Sequence, residues 1–301
     1  MADEVGVTTR TIRRDLETLR QVGFPLIEKH VSSHGRKHWQ LSPGIESVPL
    51  SFTWDEAIAL YLARRYLEPL ANTHLWDSAQ KAFRKIKSTL GEPAVRYLEK
   101  MTGAFHRTSV GSGNYSKKSE IIDQLMIGIE DRCMTFITYQ SMRSTEPVKY
   151  DVYPYGIVFH RNSLYLVAHA VDHGEIRHYK IDRVEDVDVQ NLKFTRPDDF
   201  DIRKHLEDSF GIYRGNGKQV TVCVRFAPEV TRYVEESHWH HSQKLTREAD
   251  GGLILEVTLD ALEEFKSWVM SFGRHAKVLW PRMLLDEITV ELQDTLRQYE
   301  R

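Results

Sequence analysis

VYPYGIVFHRNSLYLVAHAVDHGEIRHYKIDRV, residues 152–184, is the stretch of this sequence that decides the fold. Two apolar runs, residues 155–159 and 164–171, flank a polar turn, and a third run, residues 177–181, follows a turn that contains Gly174. Short runs rich in β-branched and aromatic residues, separated by Gly, Asn and Asp, are typical of antiparallel strands joined by tight turns. The stretch therefore predicts an antiparallel meander.

Polar and aromatic side chains interrupt these otherwise apolar strands. Residues two apart in a strand share a face, so Arg177 and Tyr179 lie on one face, and Tyr165 and His169 on another. A small curved sheet could gather such groups into one cationic, aromatic cluster that suits a phosphate-bearing ligand with stackable rings. The predicted effector site consists of Tyr139, Tyr153, Tyr165, His169, Arg177, Tyr179 and Arg183, with Tyr150 as a further ring.

An alternative explains the same residues without a ligand. In it the sheet is an ordinary half-buried one, the tyrosines simply pack, and Arg183 pairs with Asp182 or Glu185.

The stretch resembles the WYL domain, a ligand-sensing module of bacterial transcription regulators. Leu164-Tyr165-Leu166 stands in the place of the Trp-Tyr-Leu tripeptide that names the family, with Leu in place of Trp. The surrounding frame also matches, at Pro154-Tyr155-Gly156 and at Ile181-Asp182-Arg183-Val184. The resemblance implies an Sm-like or SH3-like β-barrel that binds a single-stranded nucleic-acid fragment or a nucleotide effector.

Residues 9–20, TRTIRRDLETLR, predict an amphipathic helix near the start of the chain. Thr8 is a good N-cap residue, and Ile12, Leu16 and Leu19 recur at helical spacing as a buried stripe. Arginines occupy the other faces of this helix, so its exposed surface is cationic.

A basic hairpin follows this helix. Two short strands are predicted at residues 26–29 and 37–41, and Arg36 and Lys37 lie at their turn. An arginine-bearing helix fits the major groove of double-stranded DNA, while a basic hairpin can contact the neighbouring phosphates.

The unit resembles the winged helix-turn-helix of DeoR-like regulators, on Val7-Thr8 and on Thr11-Ile12-Arg13-Arg14-Asp15-Leu16. The alternative is the solvated arginine face of any surface helix. By this resemblance, the residues expected to contact DNA are Thr9, Arg10, Thr11, Arg13, Arg14, Arg36 and Lys37. Because one helix and one wing give little specificity, we expect a homodimer that reads two half-sites.

The winged unit departs from its family in one respect. The family places a full helix and most of another before this point, and the first helix is absent before Gly6. We expect either that the true start lies upstream or that a partner supplies the missing packing.

The remaining chain predicts three further regions. Thr53 begins a capping-box-like helix start, residues 108–118 read as a Gly-rich hinge, and the last region has the order β-α-β-β-α-β-α of a ferredoxin-like fold. That region resembles the C-terminal extension of WYL regulators, on Trp268, Gly273, Ala276, Val278-Leu279 and Pro281. The expected fold class is multidomain α+β, with a winged helix-turn-helix at 1–48, a helical linker at 49–112, the WYL domain at 118–195 and the α+β extension at 215–301.

Composition limits the class of protein. The chain has 301 residues, 28% of them charged, with a net charge of −2, so any DNA contact must come from a local basic patch. We expect a cytoplasmic protein with two free cysteines, because no CxxC, no signal peptide and no membrane-length apolar run occurs.

No motif identifies a catalytic centre. The sequence has no GxSxG, HExxH or P-loop, Glu263-Glu264 is interpreted as an acidic helix start, and HWHH at residues 238–241 is expected to be a surface loop. We expect no metal and no cofactor. The favoured hypothesis is a ligand-responsive regulator; the alternatives are a nucleotide-processing enzyme using the Tyr/His/Arg cluster and a defence accessory protein acting through protein contacts.

Overall fold

The computed structural model describes residues 7–21, 26–30, 37–41, 52–90, 92–104, 111, 113, 115–215 and 217–300. The chain divides into two compact units. The first contains Met1–Arg65 and Lys81–His106, and the second contains Tyr66–Gln80 and Arg107–Arg301.

The first unit begins with the predicted helix and hairpin. Thr8 caps the helix, because its hydroxyl accepts a hydrogen bond from the Thr11 amide at 3.2 Å. The hairpin strands pair antiparallel, with Leu26 opposite Leu41. Their bounds are α1 (Thr9–Gln21), β1 (Leu26–His30) and β2 (Lys37–Leu41). The turn that carries Arg36 and the side chains of Arg13, Leu19 and Lys37 lie outside the described residues.

Three helices follow: α2 (Trp54–Ala63), α3 (His74–Thr89) and α4 (Glu92–Ala104). The predicted capping box at the start of α2 is confirmed. The Thr53 hydroxyl accepts from the Glu56 amide at 3.3 Å, and the Glu56 carboxylate accepts from the Thr53 amide at 2.8 Å. This reciprocal pair satisfies two backbone groups that a helix start would otherwise leave without partners.

The second unit contains the predicted meander as a five-stranded antiparallel sheet, preceded by helix α5 (Ser119–Glu130). Its strands are β3 (Cys133–Tyr139), β4 (Val148–His160), β5 (Ser163–Ala170), β6 (Glu175–Lys180) and β7 (Val184–Lys193). The order is β6-β5-β4-β3-β7, so within the described residues β6 and β7 are edges and the sheet does not close into a barrel. The Sm-like or SH3-like assignment therefore stays a prediction.

The turn between β4 and β5 is tighter than the four polar residues of the sequence indicate. His160 pairs with Ser163, which leaves only Arg161 and Asn162 as the loop. Both have left-handed backbone angles, with φ of 45° and 62°. Two consecutive positive φ values are the signature of a type I′ turn, whose twist matches that of the strands it joins.

One apolar core lies between this sheet and α5. Leu125, Ile137, Leu166 and Ile181 are each 0% exposed in it. Burying a side chain of this size contributes about 1.5–3 kcal/mol, so this core fixes which face of each strand turns inward.

After the short helix α6 (Ile202–Leu206), the C-terminal region forms a four-stranded antiparallel sheet with two helices and a closing helix. Its elements are β8 (Val220–Phe226), α7 (Pro228–Glu235), β9 (Lys244–Arg247), β10 (Leu253–Leu259), α8 (Glu263–Met270), β11 (Ala276–Trp280) and α9 (Arg282–Tyr299). The strand order β11-β8-β10-β9 places β10 between the strands of the first βαβ unit and β8 between those of the second. This interleaving is the split βαβ arrangement that the sequence predicted.

Helix α6 begins at Ile202, because Asp201 accepts hydrogen bonds from the amides of Arg203 and Lys204 and caps the chain there. One local prediction needs correction. The HWHH segment is not simply a surface loop. His240 is 5% exposed, and the Trp239 indole donates to the Val234 carbonyl at 2.8 Å and packs against the C-terminal core.

Among the residues that the structure describes, no helix has the length and apolar character needed to cross a bilayer.

Candidate functional site

A cavity of about 1370 Å³ lies between the five-stranded sheet and the start of the C-terminal region. Strands β3 to β6 supply its floor, while residues 212–215 and the first turn of α8 supply its wall. Its basic and histidine side chains are Arg143, His160, Arg161, Arg177, His178, Lys180, Arg183, His205 and Arg214. Because acidic groups at its surface are only Glu175, Glu263 and Glu264, the cavity is predominantly cationic.

Three of these arginines have no carboxylate partner. Within the part of the chain that the structure describes, Arg143, Arg161 and Arg183 form no ion pair, whereas Arg177 pairs with Glu175 at 2.8 Å. A guanidinium group presents a planar fork of donors that matches a phosphate or carboxylate. The unpaired arginines therefore make this cavity suited to an anionic ligand.

Tyrosine rings form the inner end of the floor. Tyr139 and Tyr150 contact Tyr179, with ring centroids 5.1 Å and 5.7 Å apart. Tyr179 is only 3% exposed, and its hydroxyl has no hydrogen-bond partner among the described residues. Burial raises the pKa of this hydroxyl, so it remains a neutral donor. A buried hydroxyl without a partner costs free energy, so Tyr179 is a polar group that the packing of the tyrosine rings leaves unsatisfied among the described residues.

A chain of hydrogen bonds crosses the cavity from the C-terminal sheet to β6. Arg214 lies 3.5 Å from the Asp260 carboxylate and donates to Nδ1 of His205. Since Nδ1 accepts, His205 carries its hydrogen on Nε2, which lies 3.1 Å from Nε2 of His178. The backbone of Ile212 acts on the His178 ring in the direction that raises its pKa, and burial outweighs this effect.

Both histidines of this chain are held neutral. Burial lowers the pKa of His178, and the nearby Arg214 charge lowers it further. Burial and the charge of Arg214 lower the pKa of His205 to about 4. Neutral rings are required here, because each accepts a hydrogen bond on one nitrogen.

Glu264 joins the sheet to the C-terminal region from the opposite side of the cavity. Its carboxylate accepts from His160 Nε2 at 3.0 Å, from the Ile212 amide at 2.6 Å and from the Tyr213 amide at 2.8 Å. Burial raises the pKa of Glu264, but the hydrogen bonds from His160 and the two amides outweigh this and hold the pKa below its usual value. Glu264 is therefore ionised and fully engaged.

The structure brings most of the predicted effector residues together. Tyr139, Tyr150, Tyr165, Arg177, Tyr179 and Arg183 all line the cavity. Arg183 pairs with neither Asp182 nor Glu185, and Asp182 instead accepts from the Tyr115 hydroxyl at 2.7 Å. The predicted alternative pairing of Arg183 is therefore absent from the described residues.

Two predicted residues lie elsewhere. The Tyr153 ring stacks on His169 and on Phe194, with centroids 5.7 Å and 5.0 Å apart, and neither Tyr153 nor His169 lines the cavity. Tyr165 and His169 do share a strand face, but four residues of strand separate them by about 13 Å. The residues that the sequence predicted as one cluster therefore form two separate clusters.

Sequence reasoning missed much of the cavity lining: Arg143, His160, Arg161, His178, Lys180, His205, Tyr213, Arg214 and Glu264. The acidic start of α8 was recognised, since Glu263 and Glu264 occupy its first turn. Nothing in the local pattern indicates that Glu264 contacts a histidine 104 residues away.

The first unit carries the residues predicted to contact DNA. Thr9 and Arg10 on α1 are exposed, and Thr11 is half-buried. Arg14 has a side chain that is 79% exposed and lies 3.7 Å from Asp15. Asp15 and Glu17 are exposed as well, so the described exposed surface of α1 carries both signs of charge, and its contact with DNA stays a prediction.

Two family models match the second unit. The WYL domain matches residues 120–189 and the WCX domain matches residues 218–296, which confirms the resemblance found in the sequence.

Curated proteins are similar to the chain, among them the following two. It is 24% identical over 199 residues to "Uncharacterized HTH-type transcriptional regulator YobV" of Bacillus subtilis (strain 168), across 66% of this chain and only 61% of YobV. It is 22% identical over 304 residues to "Protein PafB" of Mycobacterium leprae (strain TN), across 96% of this chain and 86% of PafB.

Solved structures are also similar to the chain, among them the following two. "Proteasome accessory factor B/C (PafBC) of Arthrobacter aurescens" matches all of this chain and 45% of its own, with 18% identity and a TM-score of 0.31. "Crystal structure of a CRISPR Cas-related protein" matches 85% of this chain and 89% of its own, with 13% identity and a TM-score of 0.47. Neither score establishes a shared arrangement of the whole chain.

Proposed function

We propose that this chain, which carries a WYL domain followed by a WCX domain, is a transcription regulator that binds double-stranded DNA and responds to an effector. The effector is a short single-stranded nucleic acid or a nucleotide, held in the cationic cavity of the WYL sheet. The regulator acts as a homodimer, because two winged units can read two half-sites of an operator. The name of the relative YobV, an HTH-type transcriptional regulator, supports the DNA-binding part.

One observation carries the effector assignment. Arg143, Arg161 and Arg183 line the cavity without a carboxylate partner among the described residues, and Tyr139, Tyr150 and Tyr165 line it as well. An oligonucleotide supplies phosphates for the guanidinium groups and bases for the tyrosine rings.

Titration with a labelled oligothymidylate of about five nucleotides tests the effector site. Each charge-assisted hydrogen bond to phosphate contributes about 1.5–3 kcal/mol, so Arg161→Ala and Arg183→Ala should each weaken binding roughly tenfold to a hundredfold. Arg203→Ala, an exposed arginine outside the cavity, is the matched control and should bind like the wild type. Equal affinity in all four proteins would remove these arginines from the site.

The same mixtures distinguish a regulator from the alternative enzyme. Chromatography of the oligonucleotide after prolonged incubation should return it unchanged. Stoichiometric binding followed by steady product formation would instead favour nucleotide processing.

DNA binding tests the first unit. Arg36→Ala with Lys37→Ala should weaken binding to all duplex sequences and flatten its dependence on salt, since fewer counterions are released. Arg14→Ala should change sequence preference, because this exposed arginine lies on the helix assigned to the major groove. Arg84→Ala, an exposed basic residue of α3, is the control. A wing double variant with the salt dependence of the wild type would refute the wing assignment.

A further inference from the structure

The segment between α6 and β8 passes along the wall of the cavity and is anchored at several points. Residues 211–215, named here the connecting segment, contain one buried residue, Ile212, which is 1% exposed. The Ile212 amide donates to Glu264 at 2.6 Å. Two residues later, Arg214 reaches Asp260 and His205. The connecting segment is therefore fixed to the WCX domain directly and to the WYL sheet through His205, which contacts His178.

Glu264 is the central anchor of this arrangement. Its side chain is 11% exposed, and it bonds at once to the connecting segment and to His160 at the end of β4. The Glu264 carboxylate is thus an anionic group of the protein in a cationic cavity, and it accepts the hydrogen bond that His160 could otherwise donate to a ligand. His160 adjoins Arg161, one of the arginines without a carboxylate partner among the described residues.

An anionic ligand at Arg161 would meet the donor that Glu264 already holds. A phosphate that bridges Arg161 and His160 places its charge beside the Glu264 carboxylate, and like charges at this separation repel. Arg214 is a second residue at which an anionic ligand could replace a carboxylate of the protein. Its side chain is 42% exposed and lines the cavity, and it lies 3.5 Å from the buried carboxylate of Asp260.

We propose that Glu264 acts as an internal competitor of the effector, so that binding of a phosphate to His160 and Arg161 releases Glu264 and loosens the connecting segment. The proposal rests on the effector site described above and assigns its regulation. Occupancy would act on the WCX domain at Glu264 itself, and on the connecting segment through the amides of Ile212 and Tyr213, which lose their acceptor when Glu264 departs. Glu264 is a positioning residue in this scheme, since it acts through the connecting segment and touches no ligand.

Glu264→Gln and Glu263→Gln form a matched pair for the test. Both remove one negative charge from the same cavity wall, but only Glu264 bonds to His160 and the two amides. Oligothymidylate affinity should rise about tenfold in Glu264→Gln, because a charge-assisted hydrogen bond no longer has to be broken. It should rise less than about threefold in Glu263→Gln, where only long-range repulsion is relieved.

Hydrogen exchange with mass spectrometry supplies a readout that a purely structural role would not move. Oligothymidylate should accelerate exchange of residues 211–215 in the wild type and in Glu263→Gln. In Glu264→Gln the same residues should exchange fast before the probe is added and change little afterwards. His160→Phe, which keeps a ring against Tyr165 and removes the donor, provides a second variant. It should bind oligothymidylate more weakly, because the phosphate loses one of its two donors. The probe should no longer accelerate exchange of residues 211–215, since Glu264 keeps its bonds to the two amides.

The outcomes separate this inference from the effector assignment. If the wild type binds oligothymidylate but exchange of residues 211–215 stays unchanged, the effector site stands and the release of Glu264 is refuted. Equal tightening in Glu263→Gln and Glu264→Gln would show a general charge effect and also refute it. If no variant binds the probe, the effector site falls and this inference falls with it.

Discussion

Acidification should destabilise the second unit, because His205 is buried as a neutral ring. Its pKa in the folded protein is about 4, against about 6.5 for an unperturbed histidine. At pH values between these two, the unfolded chain therefore binds a proton at His205 and the folded chain does not. The contribution of the neutral His205 ring to stability is fully present above the unfolded pKa. It is lost as the pH falls toward the folded pKa. Between about pH 7.5 and about pH 5 the loss is about 2 kcal/mol from His205 alone.

Urea unfolding at these two pH values, followed by tryptophan fluorescence, measures the loss. His205→Gln keeps a hydrogen-bonding side chain without the titration, so its stability should depend on pH less than that of the wild type by about 2 kcal/mol. His173→Gln replaces an exposed histidine and should behave like the wild type. The same loss of stability in the wild type and in His205→Gln would show that His205 is not held neutral by burial.

Three further changes test the fold. Thr53→Ala removes the cap of α2 and should cost about 1 kcal/mol, seen as faster amide exchange in its first turn; unchanged exchange would contradict the cap. Phe265→Ala empties a site that is 0% exposed and should lower the free energy of unfolding by about 3–5 kcal/mol in urea. Gly113→Ala would place a Cβ 2.6 Å from Oδ1 of Asp182, so the Tyr115–Asp182 hydrogen bond should break and exchange of residues 115–118 should increase; an unaltered exchange rate would show that the segment has room to move.

Elements whose signals are local were predictable from the sequence. The cap at Thr53, the helix after Thr8 and the hairpin that follows it depend on residues within a few positions of each other. The alternating pattern of the C-terminal region likewise defined its strands, and their order in the chain already indicated the interleaved sheet. Apolar periodicity and capping chemistry act over a few residues, so they can be read without tertiary information.

The candidate site was only half predictable, since its two sides come from distant parts of the chain. Arg177, Tyr179 and Arg183 belong to the motif itself and were found by their place in the strands. The opposite wall depends on Glu264 meeting His160 across 104 residues, and on a connecting segment without a regular pattern. Tyr153 and His169 were misplaced because strand alternation gives the face of a residue but not its distance along the sheet.

In the turn between β4 and β5, the residue that best suits the backbone differs from the residue that suits binding of an anionic ligand. Hairpins of this kind are most stable with Asn-Gly, because both loop residues need a left-handed backbone. The first of these positions is instead occupied by Arg161, with a φ of 45°, at a cost of about 1–2 kcal/mol relative to glycine. Selection of variants for thermal stability alone would therefore favour replacement of Arg161. The stabilised protein would keep its sheet and lose one of the guanidinium groups that line the cavity.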